Sequence, residues 1–396
     1  MDMGSTAGTE NGARLDVVVI GGGATGCGMA WDLSLRGLSV ALVERGELAS
    51  GTTGRFHGLL HSGARYAVTD PSTAGECARE SSILRRLAPS AIDDSGGLFV
   101  FGGHDDPGYL EAWMDGCRRA GIPFTELAVP EALGREPGLE PGIRRAFEVR
   151  DAVCNSVALC GALGRGAASL GARLLTHRRC DEIITRAGRV TGVRLTDTTS
   201  GEASELACRL VVIAAGPWSG RIAESAGVRL SLDLVRGTMV AFRGPWVKAA
   251  VNRLSAPGDG DIILRRGRVS IAGTTSVVTA DPDDRTVDDW EVERVQEQIA
   301  ALVPGLAREQ MVHAWAGVRP LYDARPRDAA ADGNPHSWSR DFTVLDHGAR
   351  DGVDGLVSIV GGKLTSFRLM AEKTSDVVCE KLGAPAVCRT AEIGIS

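Results

Sequence analysis

The chain has 396 residues, enough for two domains or one large discontinuous domain with its own buried core. A formal net charge of −6 supplies no basic footprint for a nucleic acid, and no apolar run approaches the roughly 18 residues that span a bilayer. Nine cysteines, an odd number without C-x-x-C spacing in so long a chain, read as reduced cytoplasmic thiols, and neither they nor the seven histidines form a metal-like cluster.

Residues 1–15 are rich in Gly, Ser and Thr and are expected to be disordered. Residues 16–20 are an apolar, β-branched run of the kind a buried parallel strand shows, and they break into Gly21-Gly22-Gly23-Ala24-Thr25-Gly26. A helix is predicted from Ala24 to about Arg36, with Gly37 as its stop, and a second strand over 39–43 delivers Glu44 and Arg45. This is G-x-G-x-x-G in a βαβ setting. Gly21 permits the tight turn, Gly23 admits a pyrophosphate to the helix N-terminus, Gly26 allows close helix–strand packing, and Glu44 is placed to accept ribose hydroxyls. With one such fingerprint and no second, a reductase binding both a nicotinamide and a flavin is disfavoured, so electrons are expected to come from the substrate.

Residues 48–66 hold too much Gly, Ser and Thr for a stable helix, yet carry His57, His61, Arg65 and Tyr66. Asp70 is expected to cap a helix over 71–88 that opens on Pro71. A strand over 97–101, a helix over 107–120 ended by Gly121, an extended 122–127 and a Pro/Gly-rich 130–142 break the βαβ rhythm and signal a second domain. A helix near 156–170 and a hairpin-like pair, 173–184 and 189–196, lead to a buried strand over 210–213 and the turn Ala214-Ala215-Gly216-Pro217-Trp218. Alternating runs at 238–242, 261–265 and 269–274 read as antiparallel strands. Thr286 is expected to cap a helix reaching about 303, with Val292, Val295, Ile299 and Leu302 inward. Residues 313–321 are a short extended piece bearing Arg319, and 325–340 a charged loop. Near the end, a strand over 355–360 meets Gly361-Gly362-Lys363-Leu364-Thr365 and a helix to Leu382. Two strand-to-helix glycine turns, one at each end of the chain, suit a cofactor long enough to be held at both.

The segments GGGATGCGMA, ASGTTGRFHGLLHSGARYAV, VVIAAGPWS, HAWAGVRPL and GGKLTSFRLMAEKTSDVVCEKLG, taken together and in order, resemble the FAD-dependent glycerol-3-phosphate dehydrogenases of the D-amino-acid-oxidase-like flavoprotein superfamily. Within that family the likeness is closest to the catalytic A subunit of the anaerobic type, and it covers nearly the whole chain from Asp16. It implies an α/β fold with a discontinuous Rossmann-like FAD-binding domain over 16–90, 150–220 and 340–396. It also implies a substrate-binding domain with a mainly antiparallel sheet over 91–149 and 221–339. By the same resemblance, Gly21, Gly23, Ala24, Thr25, Gly26, Glu44 and Arg45 would serve the ADP half of the flavin, and Ser50, Thr52 and Thr53 its pyrophosphate. His57, Gly58, Leu60, Cys180, Ala215, Gly216 and Trp218 would make further contacts, with Gly361, Gly362, Lys363, Leu364 and Thr365 at the ring. His61, Arg65 and Tyr66 match the family's active-site H-x-x-x-R-Y, Arg319 the arginine of its G-V-R-P, and Lys363 its active-site lysine.

Those residue types suit the chemistry. Oxidation of a secondary alcohol needs a base for the hydroxyl proton, and histidine titrates in the useful range. A guanidinium at Arg65 or Arg319 suits a substrate phosphate, and the Lys363 ammonium suits the negative charge of a reduced flavin. The implied activity is oxidation of sn-glycerol 3-phosphate or a related polyol phosphate. Three alternatives on the same fold stay open: an amino-acid or 2-hydroxy-acid oxidase or dehydrogenase, a paralogue for another alcohol, and a flavin-binding subunit without chemistry of its own. The sequence departs from the family in two places. It stops at Ser396, where the anaerobic type continues into a cysteine-rich region, and residues 235–239 lack the histidine of the aerobic members. A separate electron-transfer or membrane-associated partner is therefore expected, with the protein cytoplasmic or peripheral at the inner membrane face.

Overall fold

The computed structural model describes residues 8–9, 14–322, 335 and 338–395. The chain divides into two compact units, each assembled from separate pieces: 1–54, 156–232 and 341–396 in the first, 55–155 and 233–340 in the second.

In the first unit the strand Leu15–Ile20, whose Val17, Val18 and Val19 are fully buried, pairs in parallel with Val40–Val43 on one side and with the second half of Ala203–Ile213 on the other. Leu356–Gly361 joins that second half in parallel, and Arg173–Leu175 extends the opposite edge beyond Val40–Val43. Because these strands run the same way, their carboxyl ends open on one edge of the sheet, and the turns after Ile20, Val43, Ile213 and Gly361 lie along it. The first half of Ala203–Ile213 turns instead into an antiparallel meander with Arg189–Asp197 and Arg178–Arg186. The helix Ala24–Leu35 packs against Phe367–Leu382 so closely that a Cβ on Gly28 would meet the Phe367 ring at 3.0 Å.

Two expectations change here. Arg173–Leu175 is not one arm of a hairpin: hydrogen bonding to the edge of Val40–Val43 makes it a parallel strand, and the antiparallel pair starts at Arg178. Within the segment expected to be disordered, Gly8 and Thr9 pair in parallel with Ser204 and Glu205, and Arg14 donates to the Cys208 carbonyl at 3.0 Å. The sheet edge left open by Ala203–Ile213 attracts this short addition. Phe342–Asp346, which lacks a clear alternation, pairs antiparallel with Leu356–Gly361.

The second unit is built on a sheet whose hub is Asp233–Arg243. It pairs antiparallel with Met311–Leu321 along one edge, and with Val269–Gly273 and Val277–Thr279 along the other. Ile262–Arg266, Ala250–Arg253, Gly97–Phe101, Arg145–Val149 and Phe124–Leu127 complete it, with a parallel step between Ala250–Arg253 and Gly97–Phe101. Val295 and Ile299 of the helix Asp289–Ala300 are fully buried in the same core as Val240, Phe242 and Ile263 of the sheet. That helix starts after Asp288 rather than Thr286, because Glu291 accepts from the Asp288 N–H while Thr286 donates its own N–H to Asp284. Pro71–Leu87 and Pro107–Ala120 begin on Asp70 and Asp106, whose carboxylates accept from the N–H groups of Thr73 and Gly108. A short helix, Val129–Arg135, occupies part of the Pro/Gly-rich passage.

The first change of unit falls at Gly54, not near residue 90. Leu59–Leu60 pairs with Ala152–Cys154, which also pairs with Ile92–Asp93, and this small antiparallel sheet ties residues 59–93 to the second unit. Most of the expected loop over 325–340 lies outside the described residues. Among the described residues no helix is long and apolar enough to cross a membrane.

Candidate functional site

The first unit gathers one group of the expected residues at the carboxyl edge of its parallel strands. Gly21 has φ 112°, and a Cβ there would lie 2.5 Å from the Ala214 carbonyl oxygen; on Gly26 it would lie 1.8 Å from the carbonyl oxygen of Gly21. Neither position admits a side chain, so strand, helix start and the turn at Ala214 meet backbone to backbone. Gly23 is the extended N-cap of Ala24–Leu35 with no side-chain cap of its own, and Thr53 Oγ1 accepts from the Ala24 N–H at 3.1 Å. Thr53 sits on the single turn Thr52–Gly54, held by the Ser156 hydroxyl, which donates to the Thr53 carbonyl at 2.7 Å.

Glu44 follows Val40–Val43. Its Oε2 accepts from the Gly22 N–H at 2.7 Å and its Oε1 from the Gly46 N–H at 2.9 Å, with the Ser50 hydroxyl at 3.4 Å. A carboxylate offers about four acceptor positions, so Oε2, with one donor, keeps capacity for a ribose hydroxyl. The Arg45 guanidinium stacks 4.0 Å over the Trp218 ring, beside Ala215 and the left-handed Gly216. Cys180 lies on Arg178–Arg186 opposite Leu195, two residues beyond the Arg178 N–H that bonds the Glu44 carbonyl, and burial pushes its thiol up to about 12. At the other glycine turn, Gly361 and Gly362 have φ 77° and 78°, and a Cβ on Gly362 would be 2.5 Å from Met370 Sδ. The Thr25 hydroxyl donates to the same sulfur at 3.9 Å, so the two turns expected from opposite ends of the chain do meet. Lys363 is extended and half-buried, and caps the turn Leu364–Ser366, in which Thr365 is buried.

The second unit holds the other group. Gly58, with φ 112°, precedes Leu59–Leu60, where Leu60 is fully buried core. The turn Ala64–Tyr66 is fixed from two sides: Trp113 Nε1 donates to the Ala64 carbonyl at 2.9 Å, and the buried Asp151 accepts from the Ser62 N–H at 2.6 Å. His61 stands edge-on to Tyr66 with ring centroids 5.4 Å apart, and His57 lies 6.5 Å from His61. His57 Nδ1 accepts from the Leu59 N–H at 3.0 Å. Burial, and after it Arg65 and Arg319, push the His57 imidazole down to about 3, so the ring is neutral and its one proton sits on Nε2.

Arg65 donates from Nη2 to both oxygens of Asp261 at 2.8 and 2.7 Å, and against the effect of burial Asp261 holds the guanidinium above its usual value. Arg319 donates from Nη2 to the Thr275 carbonyl at 2.8 Å and the Ser276 hydroxyl at 2.9 Å. Burial, then Arg340, push Arg319 down to about 9, while Tyr66 and Asp259 act in the opposite sense. Arg340, which donates to the Pro335 carbonyl at 3.3 Å, is likewise lowered by burial and by Arg65. Tyr66 thus acts electrostatically on three guanidinium groups, and among the described residues neither Arg319 nor Arg340 forms an ion pair. Sequence reasoning missed Arg340, Asp261 and Gly237. Arg340 ends a loop that looked merely charged, and Asp261 looked like the start of a strand. Gly237 is needed bare because a Cβ there would be 2.9 Å from Arg319 Nη2.

A βαβ dinucleotide edge in one unit, with an imidazole and guanidinium cluster in the other, defines a two-unit α/β oxidoreductase that uses a dinucleotide. The sequence matches the FAD dependent oxidoreductase family, DAO, over residues 16–368, and the chain belongs to that family. It is 44% identical over 385 residues to the A1 subunit of the anaerobic glycerol-3-phosphate dehydrogenase of Haloferax volcanii, covering 95% of this chain and 65% of that protein. It is 38% identical over 391 residues to the A subunit of the anaerobic glycerol-3-phosphate dehydrogenase of Escherichia coli K12, covering 98% and 71%. Among solved structures, the FAD complex of glycerol-3-phosphate dehydrogenase from Bacillus halodurans is similar at a TM-score of 0.76 and 25% identity, covering 97% of this chain and 68% of that one. The chain therefore spans about two thirds of the length of these relatives. The residues present fit FAD: Glu44 has acceptor capacity left on Oε2, the N-cap Gly23 carries no side chain of its own, and the paired glycines at 361 and 362 bring none to the second turn.

Proposed function

We propose that the protein oxidises a phosphorylated secondary alcohol, sn-glycerol 3-phosphate or a closely related polyol phosphate, with FAD as the oxidant. The observation that carries this reading is the cluster of Arg65, Arg319 and Arg340 around Tyr66. Asp261 pairs with one of these cations, and among the described residues the other two have no carboxylate at ion-pair distance, Asp259 acting on Arg319 only from further off. A phosphate dianion matches that surplus; a neutral alcohol does not, and a single carboxylate leaves one cation unmatched. The names of the relatives, glycerol-3-phosphate dehydrogenases, support the same substrate class.

Bound FAD would supply the oxidation by accepting a hydride from the substrate carbon. The work left to the chain is binding, orientation and proton transfer. Arg319 and Arg340 take the phosphate, and Arg65, held by Asp261, fixes one side of the cluster. His57 is neutral with Nδ1 already accepting a backbone hydrogen bond, so it has no free basic nitrogen. The hydroxyl proton falls to His61, which rests against Tyr66. Lys363 contributes its ammonium on the cofactor side. That the relatives are named as subunits supports a second polypeptide as partner.

An anaerobic titration of the flavin-loaded protein tests this reading. Bleaching of the flavin spectrum by sn-glycerol 3-phosphate is expected, with glycerol, D-2-hydroxy acids and amino acids ineffective. Stronger bleaching by an amino acid or a 2-hydroxy acid would overturn it.

A further inference from the structure

We infer that Glu291, which is remote in sequence from every motif of the site, is a positioning residue for Arg319 and acts through Thr275. The inference rests on the reading of Arg319 as the anion-binding group. Glu291 lies in the first turn of Asp289–Ala300 and is wholly buried. Its Oε1 accepts from the Thr275 hydroxyl, and its Oε2 pairs with Arg236 Nη2 at 2.7 Å. The Thr275 oxygen in turn accepts from the Thr238 N–H at 2.9 Å. The single hydroxyl proton of Thr275 is therefore committed to Glu291, and both the residue and its segment are held against the strand Asp233–Arg243.

The same residue then presents its carbonyl to Arg319. Nη2 donates to that carbonyl at 2.8 Å, and the next side chain, Ser276, accepts at 2.9 Å. Longer contacts to the carbonyls of Val235 at 3.4 Å and Arg236 at 3.5 Å come from the strand alongside. One edge of the guanidinium is thus fixed by acceptors, and among the described residues Nη1 has no hydrogen-bond partner. Orientation matters because a guanidinium binds a phosphate through a rigid planar fork, which a small rotation misaligns. Removing the acceptor at Glu291 strands the buried Thr275 hydroxyl, and the cheapest relief is a shift of residues 274–276 that carries the Arg319 partners with it.

The rival account makes Glu291 only the counter-ion of Arg236, a structural pair without effect on the anion. The test measures binding of inorganic phosphate to the flavin-loaded protein by calorimetry, together with KM and kcat for sn-glycerol 3-phosphate, flavin content and thermal midpoint. Thr275→Val is expected to weaken phosphate binding about ten-fold and raise KM to match, with kcat changed less than about two-fold and flavin retained. Thr275→Ser, which keeps the hydroxyl, should restore the affinity. Glu291→Gln keeps an acceptor for Thr275 but loses the charge facing Arg236, so it should lower the thermal midpoint while leaving phosphate affinity within about two-fold. In an Arg319→Ala background Thr275→Val should add nothing. An equal effect of Thr275→Val in both backgrounds, or a Thr275→Val protein with a lowered midpoint and unchanged phosphate affinity, would overturn the inference. If Arg319→Ala itself leaves phosphate affinity unchanged, the anion-site reading and this inference fall together; if it weakens binding and Thr275→Val does not, the inference alone falls.

Discussion

Arg319 lies with its Nη2 across the bare α-carbon of Gly237, where a methyl group would sit only 2.9 Å away. The same methyl would be 2.3 Å from Thr274 Oγ1 and 2.8 Å from the Thr275 carbonyl oxygen. Gly237 is in the middle of the strand Asp233–Arg243 and outside the left-handed region, so the constraint is steric contact rather than backbone strain. Gly237→Ala is expected to displace the guanidinium and raise KM for sn-glycerol 3-phosphate by about ten-fold or more, with flavin content unchanged. Steady-state kinetics with an absorbance measure of bound flavin would decide it, and an unaltered KM would remove Arg319 from the substrate.

On the proposed reading, Arg340 adds the charge that distinguishes a phosphate from a carboxylate. Burial and Arg65 already disfavour its cationic form, so an arriving dianion relieves repulsion as well as making hydrogen bonds. Arg340→Ala should therefore weaken inorganic phosphate as a competitive inhibitor by about ten- to one-hundred-fold. It should weaken a monoanionic inhibitor such as acetate or lactate much less. Equal losses for both classes would mean that Arg340 does not select for the second negative charge.

Asp261 is a different case, because it holds Arg65 and is itself almost fully buried. Truncating one member of a buried pair leaves the other desolvated and unmatched, a loss of about 3 kcal/mol or more. Asp261→Ala is thus expected to lower unfolding stability by that amount in urea titrations, and added phosphate should recover part of it by supplying a new anion. Recovery with sulfate or phosphate but not with chloride would identify the vacancy as a dianion-compatible one; no recovery with any anion would argue that Arg65 faces away from the substrate.

The readable parts of the site were those fixed by local chemistry. Gly21, Gly23 and Gly26 declare themselves because a turn in which a Cβ would meet a carbonyl at 1.8 Å tolerates no other residue, and the spacing of strand, turn and helix is set over only a few residues. Asp70 was legible as a cap for the same reason, lying just before a proline that opens a helix, while Asp106, in the same position before Pro107, was passed over. What the sequence hid depends on partners far along the chain. Arg173–Leu175 runs into a hairpin arm with no turn signal strong enough to separate the two, and pairs instead in parallel with the edge of Val40–Val43. The change of unit at Gly54 follows from Leu59–Leu60 pairing with Ala152–Cys154, about ninety residues later, which no local pattern announces. Asp261 and Glu291 were invisible as positioning groups, since a carboxylate in sequence says nothing about which arginine or threonine it will meet.

Gly26→Ala tests the cofactor edge independently of the substrate. The added methyl would fall on the Gly21 carbonyl oxygen, and neither the strand Leu15–Ile20 nor the buried helix can move away without breaking its own packing. We expect a loss of at least about 3 kcal/mol in stability and purification of the protein largely without flavin. Phosphate binding by the second-unit arginines should survive in whatever fraction remains folded. Full flavin content in Gly26→Ala would contradict the backbone contact.

His57 gives the protein a pH dependence whose sign follows from its surroundings. In the folded state burial, Arg65 and Arg319 push the imidazole from its ordinary 6.5 down to about 3, so between those values the unfolded chain binds the proton and the folded chain does not. The stability contributed by the neutral ring is complete above pH 6.5 and falls by about 1.4 kcal/mol per pH unit as the medium is acidified toward 3. Going from pH 7.5 to 5 therefore removes about 2 kcal/mol through this residue alone. His57→Asn keeps an acceptor for the Leu59 N–H and abolishes the titration. Any packing defect it introduces shifts the whole curve without changing its slope, so urea unfolding at the two pH values should show a difference about 2 kcal/mol smaller in the variant. Parallel acid limbs in the two proteins would show that His57 titrates alike in the folded and unfolded states, which would reopen it as the base in place of His61.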